Sequence, residues 1–199
     1  MCQYIHMDKV PDPKPNTLGY ALLGLLARRD RSGYDLTQGL KDPVGFFWHA
    51  QHSQVYPQLA RLEAAGLVCH TLVEQTERPD KKVYSLTALG KEHLKVWLES
   101  PVEVPKLRDE LVLRAYSVWL TDPLAAAQMM AEHAQAHAER LAEFERRLEQ
   151  LNDNSEGQLD RLDSPWFGIH AVLIRGIGFE REYLEWCKWM TERLTEGRH

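Results

Sequence analysis

The clearest chemical pattern in the sequence lies between residues 52 and 68, where long polar side chains alternate with aliphatic ones. An apolar face is formed by residues at helical spacing: Val55, Leu59, Leu62 and Leu67. The opposite face carries side chains that donate and accept hydrogen bonds: Gln54, Tyr56, Gln58 and Arg61. Amide and guanidinium groups can read base edges in the major groove of DNA. The segment is therefore either a groove-binding helix or an ordinary amphipathic helix with a solvated polar face.

Both ends of this helix carry recognisable signals. Ser53 is predicted to cap its start, with Pro57 in the first turn, where the missing N–H of proline costs little. Gly66 is predicted to end it, because glycine readily takes the left-handed conformation that follows a helix. The residues 67–73 then have the composition of a strand.

Two other groups of residues could bind a ligand. His133 and His137 stand one helical turn apart, but no third ligand accompanies them, and we predict no metal site. Aromatic residues late in the chain are suited either to hold a flat aromatic molecule or to fill a core: Trp166, Phe167, Tyr183, Trp186 and Trp189. His137 is either a satisfied polar core residue or a ligand contact. Our predicted effector-binding set is His137, Trp166, Tyr183 and Trp186.

The sequence offers no pattern for catalysis. It has no Ser/His/Asp order with elbow glycines, no phosphate-cradling glycine loop and no paired carboxylates in a plausible cleft. We therefore predict a protein that is not an enzyme and that needs no cofactor.

The composition is typical of a globular protein, with 44% hydrophobic and 27% charged residues. No apolar run approaches the roughly 18 residues that cross a membrane, and the first residues lack the pattern of a signal peptide. Cys2, Cys69 and Cys187 are far apart and odd in number, which argues against a disulfide framework and a cysteine-based zinc site. We expect a cytoplasmic protein.

The net charge of −5 is unevenly distributed. Residues 1–99 hold 12 Lys and Arg against 11 Asp and Glu, a net charge of +1, whereas residues 100–199 hold 12 against 18, a net charge of −6. The first half is nearly neutral, so any affinity for DNA must come from local clusters of charge.

Two short helices are predicted before the helix that carries Gln54 and Arg61, which we call the Gln/Arg helix. Each has candidate caps: Asn16 or Thr17 for the first, and Ser32 or Gly33 for the second. Gly19 and Gly24 are poor helix formers, so we expect close packing where they lie in the first helix. Two short helices and a turn before a third are the arrangement of a helix-turn-helix, whose last helix enters the major groove.

A two-stranded β-hairpin is predicted after the third helix. Its strands are 67–73 and 83–86, with Pro79-Asp80 at the turn. Arg78, Lys81 and Lys82 are spaced to reach phosphates beside the groove. Alone, such a basic tip is better explained as a solvated hairpin end. Directly after a Gln/Arg helix, it favours a winged helix-turn-helix.

The second half of the chain is predicted to be helical. The proline-containing segment 100–105 marks the domain boundary, and residues 107–120 are predicted to form one helix. A long helix follows Asp122-Pro123 and carries a heptad pattern: Ala127, Met130, Ala134, His137, Leu141, Phe144, Leu148 and Leu151. A last helix begins at Ser164-Pro165.

This helical half is rich in large apolar residues, which favours pairing with a second copy over a self-contained bundle. The predicted fold is mainly α with a small β-hairpin. It comprises a flexible arm (1–15), a winged helix-turn-helix DNA-binding domain (16–100), and an all-α dimerisation and effector domain (106–199).

The sequence resembles the PadR family of bacterial transcriptional regulators. The resemblance covers roughly residues 17–98 and is carried by motifs in the family's order and spacing: 17–26 (TLGYALLGLL), 32–36 (SGYDL), Phe47-Trp48, 52–59 (HSQVYPQL), 61–68 (RLEAAGLV) and 82–90 (KVYSLTALG). The length and pattern of the second half look like the longer C-terminal domain of the phenolic-acid-responsive branch.

The resemblance implies a homodimeric winged helix protein that binds an inverted-repeat operator in double-stranded DNA and usually represses. It also implies release from DNA by a small molecule, often aromatic. The predicted DNA-binding residues are Ser32, Tyr34, Ser53, Gln54, Tyr56, Gln58, Arg61, Arg78, Lys81, Lys82 and Tyr84. The alternative is a winged helix interaction module that does not bind DNA, for which the near-neutral first half is the best argument.

Overall fold

The computed structural model describes residues 14–41, 52–74, 80–106 and 108–196, without the side chains of Lys41 and His52. Several residues with sequence predictions lie outside the described residues: 1–13 of the predicted arm, Phe47, Trp48 and Arg78. The chain divides into two compact units, Met1–Glu103 and Val104–His199.

The first unit combines helices with a small antiparallel sheet. Its elements are α1 (Thr17–Leu26), β1 (Arg31–Ser32), α2 (Gly33–Lys41), α3 (His52–Ala64), β2 (Val68–Val73), β3 (Lys81–Leu86) and α4 (Ala88–Glu99). The strand order is β1-β3-β2. Sequence analysis predicted the β2–β3 hairpin but missed β1, which pairs Arg31 with Tyr84 and Ser32 with Val83. A strand of two residues is too short to leave an alternating pattern.

Side chains cap the first two helices. Asn16 Oδ1 accepts the backbone N–H of Gly19 at 2.9 Å, which confirms one of the two caps proposed for α1. Ser32 Oγ accepts the backbone N–H of Asp35 at 3.1 Å, and Asp35 Oδ2 accepts the backbone N–H of Ser32 at 3.2 Å. This reciprocal pair is a capping box, and it fixes where α2 begins.

The start of α3 differs from the prediction, whereas its end agrees. The helix begins at His52, so Ser53 lies inside it and Pro57 is in its second turn. Pro57 has no N–H to donate to the Ser53 carbonyl, so one backbone hydrogen bond is missing in the second turn of α3. Gly66 has φ 71°, and Leu67 donates to the Leu62 carbonyl at 2.9 Å, which together end α3 in a Schellman motif.

An aliphatic core holds the first unit together. Its most deeply buried side chains come from α1, α2, α3, β2 and the residue before β2: Leu22, Leu23, Leu36, Val55, Leu59, Leu62, Leu67 and Val68. The rings of Tyr20 and Trp97 stack with centroids 4.6 Å apart, which ties α4 to α1.

Gly19 and Gly90, like Gly33, lie against neighbours that leave no room for a side chain. A Cβ on Gly19 would lie 2.7 Å from Gln58 Nε2, and one on Gly90 would lie 2.0 Å from the Leu67 carbonyl oxygen. Among the described residues, no atom would come within 4 Å of a Cβ on Gly24. The close packing predicted at Gly19 is therefore present, and that predicted at Gly24 is wrong.

The second unit is helical throughout its described elements. These are α5 (Glu110–Tyr116), a 3-10 turn (Val118–Leu120), α6 (Pro123–Asn154) and α7 (Pro165–Glu196). Residues 107–120 were predicted as one helix, but the α-helix ends at Tyr116, and Ser117 leaves helical geometry with ψ 20°. Asp122 caps α6, as predicted, by accepting the N–H of Ala125 at 3.1 Å.

The predicted heptad seam packs along α7 within the same chain. Buried seam residues are Ala127, Met130, Ala134, His137, Phe144 and Leu151. The buried stripe of α7 is Leu173, Gly176, Ile177, Glu180, Leu184, Cys187 and Met190. The seam is therefore used to form a helical hairpin. No helix in the described part of the chain is long and apolar enough to cross a membrane.

Candidate nucleic-acid interface

The exposed face of α3 is a continuous arc. Successive residues of an α-helix are about 100° apart, which places the exposed residues on one side: Ser53, Gln54, Tyr56, Pro57, Ala60, Arg61 and Ala64. The middle of this arc is formed by small or compact residues: Ser53, Pro57, Ala60 and Ala64. Gln54 and Arg61 lie at one edge, and Tyr56 lies at the other. Such a helix can approach a surface closely along its centre while longer side chains reach out on both flanks.

Gln58 does not belong to this arc. It is only 5% exposed and packs against Gly19 at the start of α1. The prediction that its amide reads a base is therefore not supported by the structure. Sequence periodicity placed Gln58 with Gln54 and Arg61, but the start of α1 covers it.

The start of α2 brings several predicted residues together. Ser32 Oγ donates to Asp35 Oδ2 at 2.6 Å, and Lys81 Nζ lies 3.2 Å from the same carboxylate. The Tyr56 ring lies against Gly33, where a Cβ would be 2.6 Å from a ring carbon. Tyr34 is 61% exposed beside them. This cluster joins α2, α3 and β3 on one side of the unit.

The hydrogen bond from Ser32 lowers the pKa of Asp35, and the neighbouring Lys81 ammonium lowers it further, while partial burial acts in the opposite direction. Asp35 therefore stays ionised and holds Lys81 near the start of α2. Lys81 is thus already paired, whereas Lys82 is exposed.

Ser32 and Tyr84 are buried and contribute to the unit from within. Ser32 is 4% exposed and acts as the cap of α2, and Tyr84 is 6% exposed on β3. Burial raises the pKa of Tyr84, as do the neighbouring Glu63 and Tyr56. Direct contact of these two side chains with a partner is not supported, because both residues are buried.

Sequence reasoning missed further polar residues of this unit. Asp35 could have been found from the Ser32-x-x-Asp35 spacing of a capping box. Arg28, Arg29 and Arg31 form a basic cluster between α1 and α2, in which burial first and then the two neighbouring guanidinium groups lower the pKa of Arg28. The run of arginines was visible in the sequence as an Arg-Arg-x-Arg pattern.

The second unit assembles most of the predicted effector set around one buried pair. His137 Nδ1 lies 2.5 Å from Glu180 Oε2, and the Glu180 side chain is 1% exposed. The His137 ring stacks on Tyr183 with centroids 4.1 Å apart. Tyr183 meets Trp186 edge-on with centroids 5.6 Å apart. The aromatic cluster therefore consists of His137, Phe179, Tyr183 and Trp186.

Trp166 does not join this cluster. It lies in the first turn of α7, and at ~1.5 Å per residue it is on the order of 25 Å from Tyr183 along the helix axis. A shared site for all four predicted effector residues is therefore excluded by the geometry.

Tyr183 links the aromatic cluster to the start of α5. Its hydroxyl donates to Asp109 Oδ2 at 2.6 Å, and Asp109 also caps α5. Burial raises the pKa of Tyr183, and the hydrogen bond to Asp109 raises it further. Burial tends to raise the pKa of Asp109, but hydrogen bonds from Tyr183 and from the backbone of α5 outweigh it and lower that pKa. Burial raises the pKa of Cys187 to about 11, so its thiol stays protonated at neutral pH.

Sequence reasoning missed Asp109, Phe179 and Glu180. For Glu180 a signal existed, because it lies in register with Leu173, Ile177 and Leu184 on the apolar stripe of α7. Of the two histidines considered for metal binding, His133 is exposed, whereas His137 is buried against Glu180. Within the described residues, no three His, Cys, Asp or Glu side chains are grouped to hold a metal ion.

Comparisons with known proteins match both units. The model of the transcriptional regulator PadR-like family matches residues 22–96, and that of the virulence activator alpha C-terminal family matches residues 107–195. The negative transcriptional regulator PadR of Bacillus subtilis is 34% identical over 172 residues, which are 86% of this chain and 93% of that protein.

Solved structures of the Bacillus subtilis protein are similar to this chain over both units. Its complex with operator DNA has a TM-score of 0.80 and 30% identity, and the match covers 90% of this chain and 99% of that one. Its complex with p-coumaric acid has a TM-score of 0.73 at the same identity and coverage. The predicted resemblance and fold class are confirmed, and this chain belongs to the PadR-like family of transcriptional regulators.

Proposed function

We propose that this protein is a homodimeric repressor that binds an inverted-repeat operator in DNA and is released by a small aromatic effector. The observation that carries the proposal is the exposed arc of α3, with compact residues at its centre and Gln54, Arg61 and Tyr56 on its flanks. A helix with this profile fits the major groove, where amide and guanidinium groups read base edges. This role is regulatory, and we expect the protein to be cytoplasmic.

In this proposal Gln54 reads a base and Tyr56 donates to a phosphate oxygen. Lys82, and Arg78 from the predicted hairpin tip, would contact phosphates beside the groove. Asp35 holds Lys81 at 3.2 Å, so we expect Lys81 to contribute less to phosphate binding than Lys82. The salt dependence of the Lys82→Ala variant should therefore be flatter by about one counterion, with a smaller change for Lys81→Ala.

The case for a homodimer rests on an exposed apolar surface of α5, the 3-10 turn and the start of α6. It consists of exposed apolar residues: Val112, Leu113, Tyr116, Trp119, Leu120 and Leu124. Tyr116 is 84% and Trp119 is 77% exposed. With the leucines, their area is on the order of the largest apolar patch on typical monomers, about 300–600 Å². A second copy of the chain would cover this surface and place two α3 helices about 34 Å apart, one per operator half-site.

Binding to DNA is tested with the promoter region beside the gene and a labelled duplex, by fluorescence anisotropy. Gln54→Ala should weaken operator binding by roughly 5- to 150-fold, the range for one good base contact, with little change for unrelated DNA. Gln38→Ala is the control, because Gln38 is also an exposed glutamine of the same unit but lies on α2. If the wild-type protein bound all duplexes equally weakly, the interaction-module alternative would replace this proposal.

The effector is proposed to bind at the aromatic cluster, because His137, Tyr183 and Trp186 offer ring faces and edges next to the buried carboxylate of Glu180. The class of ligand is suggested by the Bacillus subtilis relative, whose structure was solved with p-coumaric acid. We expect phenolic acids to quench tryptophan fluorescence and to release the protein from DNA. Trp186→Phe should remove most of the quenching, and the control Trp166→Phe should retain it. Equal quenching in both variants would refute this location.

A further inference from the structure

A small cleft opens between the start of α1 and the side of α3, and it combines two predicted DNA-binding residues, Gln58 and Arg61, with Lys14 and Asn16, which the sequence did not single out. Its volume is about 140 Å³, and its polar lining consists of Lys14, Asn16, Gln58 and Arg61. This is below the roughly 300–1,000 Å³ of pockets for drug-sized ligands. A water molecule occupies about 30 Å³, so the cleft has room for a group of a few heavy atoms.

The chemistry of the cleft favours an anion. Lys14 and Arg61 supply two positive charges, and the first N–H groups of α1 point in the direction of its start, beside the capping residue Asn16. Both amides in the lining, from Asn16 and Gln58, can donate through their NH₂ groups. Four donors around a volume of this size match an oxyanion such as a phosphate group.

Gln58 provides an independent indication of a ligand. Its side chain is 5% exposed, lines the cleft and makes no hydrogen bond with any other described residue. The amide is not among the fully buried polar atoms of the described residues that lack a partner, so it faces the cleft, where a ligand can reach it. The tight approach of Gln58 Nε2 to Gly19 fixes the amide in this position. A bound oxyanion would accept the hydrogen bond that this amide lacks.

The location of the cleft indicates where the anion comes from. Arg61 belongs both to the cleft and to the edge of the exposed arc of α3, next to Gln54 on the same flank. A duplex seated on that arc would bring its sugar-phosphate backbone along this flank. We propose that the cleft binds one backbone phosphate of each operator half-site, with Lys14 and Arg61 as charge partners and Asn16 and Gln58 as neutral donors. This inference rests on the proposed binding to DNA.

The test measures operator affinity by fluorescence anisotropy across a range of KCl concentrations. Lys14→Gln should lower the slope of log affinity against log salt by about 0.9 per half-site, the value for one phosphate contact in B-DNA. Between 50 and 200 mM salt that corresponds to about a 3.5-fold smaller loss of affinity per half-site. Lys91→Gln is the matched control, since Lys91 is an exposed lysine of the same unit outside the cleft. Gln58→Met should weaken binding with no change in slope, because the amide is neutral.

Single methylphosphonate substitutions in the operator identify the phosphate. At one position per half-site, the neutral linkage should weaken wild-type binding and abolish the difference between wild type and Lys14→Gln. Equal slopes for Lys14→Gln and Lys91→Gln, with normal wild-type binding, would overturn this inference alone. A wild-type protein that does not bind the operator would overturn both proposals. If Lys14→Gln weakened binding of inorganic phosphate without changing the DNA slope, the cleft would belong to a free anion and the assignment to DNA would be wrong.

Discussion

The two units of the chain bury different kinds of side chain. The first unit buries an aliphatic core to which Leu22, Leu36, Leu59 and Leu67 contribute with no exposed surface. The second unit buries Glu180 and His137 between α6 and α7, while Trp119 and its neighbours on α5 and the 3-10 turn stay exposed. The first unit therefore has a closed aliphatic core, although apolar side chains such as Leu72, Val96 and Leu98 are exposed on β2 and α4. In the second unit, Tyr116, Trp119 and Leu120 form part of an apolar surface that no described residue covers.

This difference separates the tasks of the two units. A rigid aliphatic core suits a unit that must present α3 in a fixed orientation. A buried pair of polar side chains and an exposed apolar face suit a unit whose final packing depends on a second copy or a bound molecule. Substitutions that act on one unit and not on the other test this difference.

The largest effect is expected at the buried pair of the second unit. Glu180→Leu would leave the His137 ring buried without its acceptor, and breaking such a pair costs about 3–5 kcal/mol of unfolding free energy. Glu182→Leu, at an exposed position of the same helix, should change it by no more than about 0.5 kcal/mol. The double variant His137→Leu/Glu180→Leu should recover most of the loss, because two apolar residues can replace a buried pair. Urea denaturation measures the unfolding free energy of all three variants. Equal stabilities of Glu180→Leu and Glu182→Leu would contradict a stabilising role of the His137–Glu180 pair.

The next effect concerns the tight core of the first unit. Gly90→Ala should destabilise it by roughly 1–3 kcal/mol, because the new Cβ would lie 2.0 Å from the Leu67 carbonyl oxygen, a backbone atom that cannot yield alone. Gly24→Ala should instead stabilise it by about 0.5–1 kcal/mol, because α1 has open space there and alanine favours a helix. Thermal unfolding of both variants tests whether Gly90→Ala lowers the stability and Gly24→Ala raises it. A destabilising Gly24→Ala would mean that this face of α1 is packed.

The smallest effect is expected from the ion pair between Asp35 and Lys81. The folded state lowers the pKa of Asp35 below its usual 3.8, chiefly through the Ser32 hydroxyl. The unfolded state therefore takes up the proton first as pH falls. The stability that Asp35 contributes is full above about pH 4 and is lost as pH falls through the lower folded pKa. Asp35 is partly exposed, so the contribution is well below 1 kcal/mol.

Urea denaturation at several pH values between 6 and 2 checks this pair. Asp35→Asn should lose less stability than wild type over that range, because its side chain no longer titrates. Asp30→Asn, at a nearby exposed position, serves as the control and should follow the wild-type curve. If the unfolding free energies of wild type and Asp35→Asn changed in parallel with pH, Asp35 would not contribute to the pH dependence of stability.

Much of this structure could be predicted from local patterns in the sequence. The apolar spacing of Val55, Leu59 and Leu62 located α3, and Gly66 located its end. Asp122 and Pro165 marked the starts of the two long helices. These features depend on residues close in sequence, so periodicity and capping chemistry suffice to find them.

Features that depend on distant contacts could not be predicted in this way. The exposure of Gln58 is decided by the start of α1, which lies about forty positions earlier and leaves no trace in the period of α3. The two residues of β1 are a strand only because β3 lies beside them. The heptad seam of α6 predicted a partner helix correctly, but nothing in its spacing says whether that helix belongs to the same chain.

The central claim is that the second unit pairs two chains so that two α3 helices read one operator. The most direct measurement is the stoichiometry of the complex with a labelled palindromic operator, by analytical ultracentrifugation of wild type and Trp119→Glu. We predict two wild-type chains per duplex. Trp119→Glu should remain folded, become monomeric and bind the operator more than about 30-fold more weakly, the loss expected for a central aromatic residue of an interface. One chain per duplex for wild type, or unchanged dimerisation and affinity for Trp119→Glu, would contradict the account.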